Sequence, residues 1–377
     1  MDLQLDRRQF VTAAAAALIT RSGPGAATTP RETGRLYRQA IVIDALGGLP
    51  DDPGLAAEAP LSARALQDIR RSGVTAISLT LSVGTSGDRL GKAIRRIATY
   101  DEKVAAAPDA LVRIRGTADL QMAKRTGRLG LIYNVQDTSL LETDLSRVEL
   151  LGNLGLRVMQ MTYNQRNTVG DGCLEPGDAG LSIFGVELVA ELARQRIVMD
   201  LSHGGRRTIA EAIANAKLPP IISHTGCRDL VDLPRNVHDR ELRALAEKGG
   251  VVGIYFMPFL TAAGPAQPSD LIRHLEHALN ACGEDHVGLG TDGPISGIVV
   301  DDTSRRALQS DYEERVRKGL AAPGEGPDRW PFVEGYNDPR RFLTLAESLA
   351  QRGWPSRRIE KLLGGNFQRV YSEVWRT

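Results

Sequence analysis

Two Ser-His pairs, Ser202-His203 and Ser223-His224, each close a short run rich in apolar and β-branched residues. The runs, Ile197–His203 and Pro220–His224, are separated by one amphipathic stretch, Arg206–Ala216. Imidazoles delivered from two adjacent strand ends can converge on one divalent ion, with a carboxylate across the site as ligand or general base. Asp292, which closes the run His286–Asp292, is the candidate carboxylate. A turn or helix-capping role in Asp292-Gly293-Pro294 competes with that assignment. Tyr163 closes Arg157–Tyr163, and Gln136 closes Gly130–Gln136 with Asp137 next to it. A lone strand-terminal histidine is ordinarily a hydrogen-bonded structural residue, whereas two on neighbouring strands point to a shared role. His238, His274, His277 and His286 fall in loop or helix contexts and read as surface residues.

The elements that must position these groups alternate along the chain. Besides the five runs above, Ile41–Asp44, Val74–Leu81 and Gly250–Phe256 read as strands and complete a set of eight. Amphipathic stretches at Ser62–Arg71, Leu145–Leu154, Phe184–Arg196, Arg206–Ala216, Arg240–Lys248 and Asp270–Cys282 read as the helices between them. Near-continuous apolar strands alternating with helices predict an α/β fold, a closed (β/α)₈ TIM barrel with its site at the C-terminal mouth. An open doubly wound sheet would call for a glycine-rich turn after the first strand, which Leu46-Gly47-Gly48 does not supply. Regularity breaks over residues 297–337, where a charged helical piece, Thr303–Lys318, precedes Ala322-Pro323-Gly324-Glu325-Gly326-Pro327. This insertion reads as a lid or a subunit contact. Helices at Pro339–Arg352 and Ser356–Leu363 follow, so residues 35–377 read as a single domain.

The remainder bounds the setting. Hydrophobic residues make up 42% and charged residues 25% of the 377, enough for a sizeable core. A net charge of +1 and 5% aromatic residues argue against a nucleic-acid or anionic-membrane partner. Asp6-Arg7-Arg8-Gln9-Phe10-Val11, an apolar run from Thr12 to Thr20 and Gly25-Ala26-Ala27 together resemble a twin-arginine signal with its cleavage site. A signal segment and Gly/Pro/Thr-rich linker over residues 1–34 would send the protein to the periplasm or outside the cell. The apolar run is too short to span a bilayer. A disordered tail or an ordinary helix is the competing explanation. Cys173, Cys227 and Cys282 are widely spaced and odd in number, which predicts buried thiols in place of a disulfide framework.

Order and spacing of these motifs resemble the membrane dipeptidase (renal dipeptidase-like) family of metallopeptidases. The resemblance rests on Ile197–His203, Ile221–His224 and Arg235-Asn236, with Gly180-Leu181-Ser182-Ile183-Phe184-Gly185, Gly288–Gly293 and Leu362–Val370, and runs from about residue 37 to 375. It implies a barrel of the metal-dependent hydrolase type, in which His203 and His224 hold one zinc. It places Arg235 on the substrate carboxylate, with Asn236 beside it, and Asp292 near the scissile bond. A guanidinium fork suits a planar carboxylate, though a structural salt bridge is the plain alternative for Arg235. Family habit makes a homodimer the expected assembly.

The departures fall on the other half of the metal site. Where the family's first strand ends in a His-x-Asp pair, this chain has Leu46 and Gly48. The bridging glutamate falls on Gln136, a weak ligand at best, and a histidine near the substrate carbonyl falls on Tyr163. Asp137 has the opposite strand parity to Gln136, Asp44 lies a layer deeper than Leu46, and Asp51 and Asp52 lie just beyond. The expectation is therefore zinc at one ion or none, in an exported hydrolase acting on a small amide or peptide-like substrate that bears a carboxylate. Two other classes compete: a metal-independent tautomerase or isomerase using His203, His224, Tyr163 and Asp292, and a non-catalytic periplasmic binding protein.

Overall fold

The computed structural model describes residues 30–50, 60–82 and 87–376. The twin-arginine segment, Asp51 and Asp52 lie outside the described residues. Eight strands follow one another around the molecule: β1 Ile43–Asp44, β2 Ala76–Thr80, β3 Leu129–Val135, β4 Leu156–Gln160, β5 Val198–Asp200, β6 Ile221–Thr225, β7 Val251–Ile254 and β8 Val287–Leu289. Each pairs in parallel with the next. The seam between β8 and β1 closes where Ala45 N–H donates to the Leu289 carbonyl at 3.0 Å and Asp292 N–H to the Leu46 carbonyl at 2.9 Å. Just above it, Gly47–Gly48 pairs with Gly293–Pro294. The protein is a (β/α)₈ barrel.

The strands read as unbroken apolar runs because both of their faces are buried; every residue of β3 and β7 is inaccessible. Outside, Leu188, Leu192, Ile209, Ile213, Leu242, Leu245, Leu271 and Leu275 bring helix faces onto the barrel. Each such side chain contributes about 1.5–3 kcal/mol on burial. At the base, Phe367, Val370, Tyr371 and Val374 of helix Asn366–Val374 close the barrel under Ile43, Val198, Ile221 and Val251.

Five of the eight strands lie within the runs named from the sequence, and the other three overrun them by one residue each, at Leu129, Leu156 and Thr225; several helices depart further. Pro30–Gln39 begins inside the supposed linker, with Pro30 at the first helical position where its missing N–H costs nothing. Arg89–Ala106 and Thr117–Thr126 escaped notice because each buries only a narrow stripe, such as Ala93, Ile97 and Tyr100 in the first. His274 is a further correction. It is fully buried, accepting from Cys227 N–H at 2.9 Å through Nδ1 and reaching the Leu260 carbonyl at 3.1 Å through Nε2. Helix Asp302–Arg317 is capped by Asp301, whose carboxylate accepts from Ser304 N–H at 2.7 Å, and it buries none of its residues.

Candidate active site

β5 stops at Asp200, and His203 stands three residues beyond it with φ +64°. A non-glycine residue in the left-handed region costs about 1–3 kcal/mol and persists only where its surroundings fix it. His224 lies within β6 itself. Neighbouring strands crowd this point: a Cβ on Gly253 or Gly290 would come within 2.0 or 2.1 Å of the Ser223 carbonyl oxygen, so only glycine fits either place.

The two imidazoles meet through their Nε2 atoms at 2.9 Å. Their remaining nitrogens fix the tautomers. Asn164 Nδ2 donates to the Leu320 carbonyl at 2.7 Å, which turns Asn164 Oδ1 towards His203 Nδ1, 2.6 Å away. That nitrogen therefore carries the proton. On the other ring, Ser223 Oγ donates to Asp200 Oδ2 at 2.5 Å and so accepts from His224 Nδ1–H at 2.7 Å. Asp200 receives four donors in all: the N–H and Oγ–H of both Ser202 and Ser223. Burial pushes its carboxyl above the usual range, while these donors pull it back by stabilising the ionised form. Burial, reinforced by Arg235, holds both imidazoles well below their ordinary range and hence neutral.

Two neutral rings with protonated Nδ1 atoms thus aim bare Nε2 lone pairs at each other. Lone pairs at this separation repel unless a cation lies between them. Two nitrogens on one tetrahedral zinc stand about 3.3 Å apart, so the rings need open only slightly. Among the described residues, the one group of three or more His, Cys, Asp or Glu ligand atoms within 4.8 Å of one another is elsewhere, at Asp229, Asp239 and His277. The pair offers two protein nitrogens to a single ion, and among the described residues no third His, Cys, Asp or Glu ligand atom stands with them.

A cavity of about 210 Å³ opens beside this pair, lined from the barrel by Tyr163, His203, Arg235 and Asp292. Leu308, Asp311, Tyr312, Arg315, Glu325 and Arg329 of the 297–337 segment cover its outer side. Tyr163 stacks on His203 with ring centres 4.2 Å apart, and its hydroxyl accepts from Arg315 Nη1 at 3.4 Å. Arg315 is anchored by two bonds to Glu325, at 2.7 and 2.8 Å. Arg235 is 3% exposed, lies 6.0 Å from the Tyr255 ring centre, and leaves Nη2 without a hydrogen-bond partner. A buried guanidinium nitrogen with nothing to donate to is costly, and an anionic ligand satisfies it. Asp292 has φ +58°; burial pushes its carboxyl up to about 6 against the pull of Arg235 and Arg315.

The other expected groups stand apart from this cavity. Asn236 spends its amide on the loop, donating to the Val231 and Phe259 carbonyls at 2.8 and 3.0 Å and accepting from the Tyr255 hydroxyl. Gln136 Nε2 donates to Thr80 Oγ1 at 2.6 Å and lines a neighbouring cavity with Leu46 and Gly48. Asp44 receives Thr291 N–H and Oγ–H at 2.7 and 2.6 Å, bracing the end of β8. Asp137 accepts from Ser139, Tyr163 and Asn167. Neither aspartate replaces the missing ligands. Sequence reasoning passed over Asp200, Asn164 and Arg315. The serine before each histidine was the available signal for the first, and nothing local pointed to the others.

The family model for membrane dipeptidases (peptidase family M19) matches residues 35–305. Among solved structures, an amidohydrolase from Pseudomonas aeruginosa is 32% identical, with TM-score 0.77 over 91% of this chain and 99% of that one. A metallopeptidase from Rhodobacter sphaeroides, liganded with a phosphinate mimic of the dipeptide L-Ala-D-Ala, shares the fold at 19% identity and TM-score 0.70, covering 89% of this chain and all of that one (100%). The dipeptidase tcpJ of Claviceps purpurea is 26% identical over 260 residues, 68% of this chain. The match spans about half of that relative's length, 53%.

Proposed function

The chain belongs to the membrane dipeptidase family, a family of metal-dependent hydrolases, and from that premise we propose that it hydrolyses a small amide or dipeptide-like substrate with one metal ion on His203 and His224. The observation that carries this reading is the pair of Nδ1-protonated imidazoles converging beside the unpartnered guanidinium of Arg235.

His203 and His224 would hold a divalent ion through their Nε2 atoms, and such an ion would lower the pKa of bound water and polarise the amide carbonyl. Arg235 Nη2 takes the substrate carboxylate, which fixes one end of the molecule and orients the scissile amide. Asp292, raised towards neutrality, accepts the proton of the attacking water and returns it to the leaving amine. Tyr163 holds the His203 ring by stacking, and its hydroxyl, oriented by Arg315, faces the reacting carbonyl. The 297–337 segment acts as a lid that keeps water off the amide. Export by the twin-arginine route completes the reading and rests on the sequence of Asp6–Val11, the apolar run Thr12–Thr20 and Gly25-Ala26-Ala27.

Steady-state kinetics on metal-loaded protein test the carboxylate role. Arg235→Met raises KM for a dipeptide about thirtyfold or more, as expected from losing a buried charge pair, and leaves a C-terminally amidated dipeptide unaffected. Equal effects on both substrates contradict the assignment. The lack of a third His, Cys, Asp or Glu ligand among the described residues favours one second reading, in which His203, His224, Tyr163 and Asp292 transfer protons without a metal; turnover by chelator-treated protein identifies it.

A further inference from the structure

A second cavity, of about 250 Å³, adjoins the first and shares Asp292 with it. Leu46, Gly48, Leu79, Tyr100, Gln136 and Pro294 form most of its wall. It occupies the side of the mouth where Leu46, Gly48 and Gln136 stand in for metal ligands. Asp292 is the only charged residue lining it among those described, and the polar side chains of Gln136 and Thr80 in its wall are hydrogen-bonded to each other. A space lined by leucines and without a cation has no use for an anion. Apolar cavities of roughly 150 Å³ already admit a benzene ring, so this one has room for a large side chain.

We propose that this cavity is an acyl subsite: it receives an apolar, uncharged acyl side chain of the substrate, on the opposite side of the scissile amide from the carboxylate. The direction follows from the layout. Arg235 lies in the first cavity, the described residues of the second include no cation, and Asp292 borders both. The substrate class is then N-acyl amino acids, or dipeptide-like amides whose acyl residue is bulky and apolar. This rests on the reading of Arg235 as the carboxylate site.

Calorimetric titration with N-acetylglycine, N-butyrylglycine and N-phenylacetylglycine tests both parts separately. Each buried methylene tightens binding about fourfold, so the butyryl compound should bind about fifteenfold more tightly than the acetyl one. A Cβ at Gly48 meets nothing nearer than Pro294 Cα at 3.6 Å, so a side chain grows from there into the cavity without breaking the backbone. In Gly48→Leu the three compounds should bind alike, with Gly48→Ala intermediate and circular dichroism confirming that both variants fold. Three equal affinities in the unaltered protein, abolished together by Arg235→Met, overturn the acyl subsite and keep the carboxylate site. A size preference that persists in Gly48→Leu also overturns it. Failure of all three compounds to bind removes the carboxylate reading and this inference with it.

Discussion

Ser223 and Ser202 offer a matched pair for testing whether the polar cluster behind the histidines serves the metal. Both are fully buried, and both donate to Asp200, at 2.5 and 2.8 Å. Their hydroxyls also lie 3.1 Å from each other. Only Ser223 touches an imidazole, receiving His224 Nδ1–H at 2.7 Å; Ser202 instead receives the His224 backbone N–H at 3.1 Å. Ser→Ala at either position strands one buried donor and takes one donor from Asp200, which costs about 1–3 kcal/mol of stability in both variants. Metal affinity should separate them. Ser223→Ala frees the His224 ring to rotate or change tautomer, and loss of such an outer partner weakens metal binding about 10–100-fold, or about 1.4–2.7 kcal/mol. Ser202→Ala leaves the ring's partner in place and should change affinity by no more than a few-fold. Urea unfolding of metal-free protein measures the first quantity, and zinc titration against a fluorescent chelator the second. Equal losses of affinity in the two variants would refute the tautomer argument, even if both lose stability as expected.

Two further outcomes follow from the same geometry. Joint replacement Leu46→His, Gly48→Asp and Gln136→Glu restores the family's ligand types around the second cavity, and elemental analysis of the folded variant should show two metal equivalents; a value unchanged from the parent protein means that the cavity wall is not where the second ion belongs. Asp292 works as a base only when ionised, and burial has raised its carboxyl to about 6, so kcat/KM should climb as pH rises through about 6 and level off above it. Asp292→Asn should abolish that limb, and a limb that survives the substitution assigns the ionisation to another group.

The barrel was legible because its strands are buried on both faces, which writes them into the chain as apolar runs such as Leu129–Val135. Helices with a thin apolar stripe, Arg89–Ala106 above all, carry too little of that signal. The histidine pair was legible as strand-end residues, but not its conformation: nothing in Ser202-His203 announces a left-handed backbone. His274 was misread because a polar residue on an amphipathic helix looks exposed until a backbone N–H and a carbonyl from elsewhere in the fold bracket its ring. The tautomer lock on His203 depends on Asn164 meeting the Leu320 carbonyl, 156 residues away in the chain, and no local pattern encodes such a contact. Arg315 reaches Tyr163 across a comparable separation. By contrast, the absence of a carboxylate at residue 136 and of ligands at residues 46 and 48 is read directly from the sequence.

The central claim is a single ion on two converging imidazoles, and metal content measures it most directly. Protein purified without added zinc and analysed by plasma mass spectrometry should carry one equivalent of divalent metal, which falls to background when His203 and His224 are both changed to Ala. Two equivalents, or none bound at neutral pH after incubation with zinc, would contradict the account.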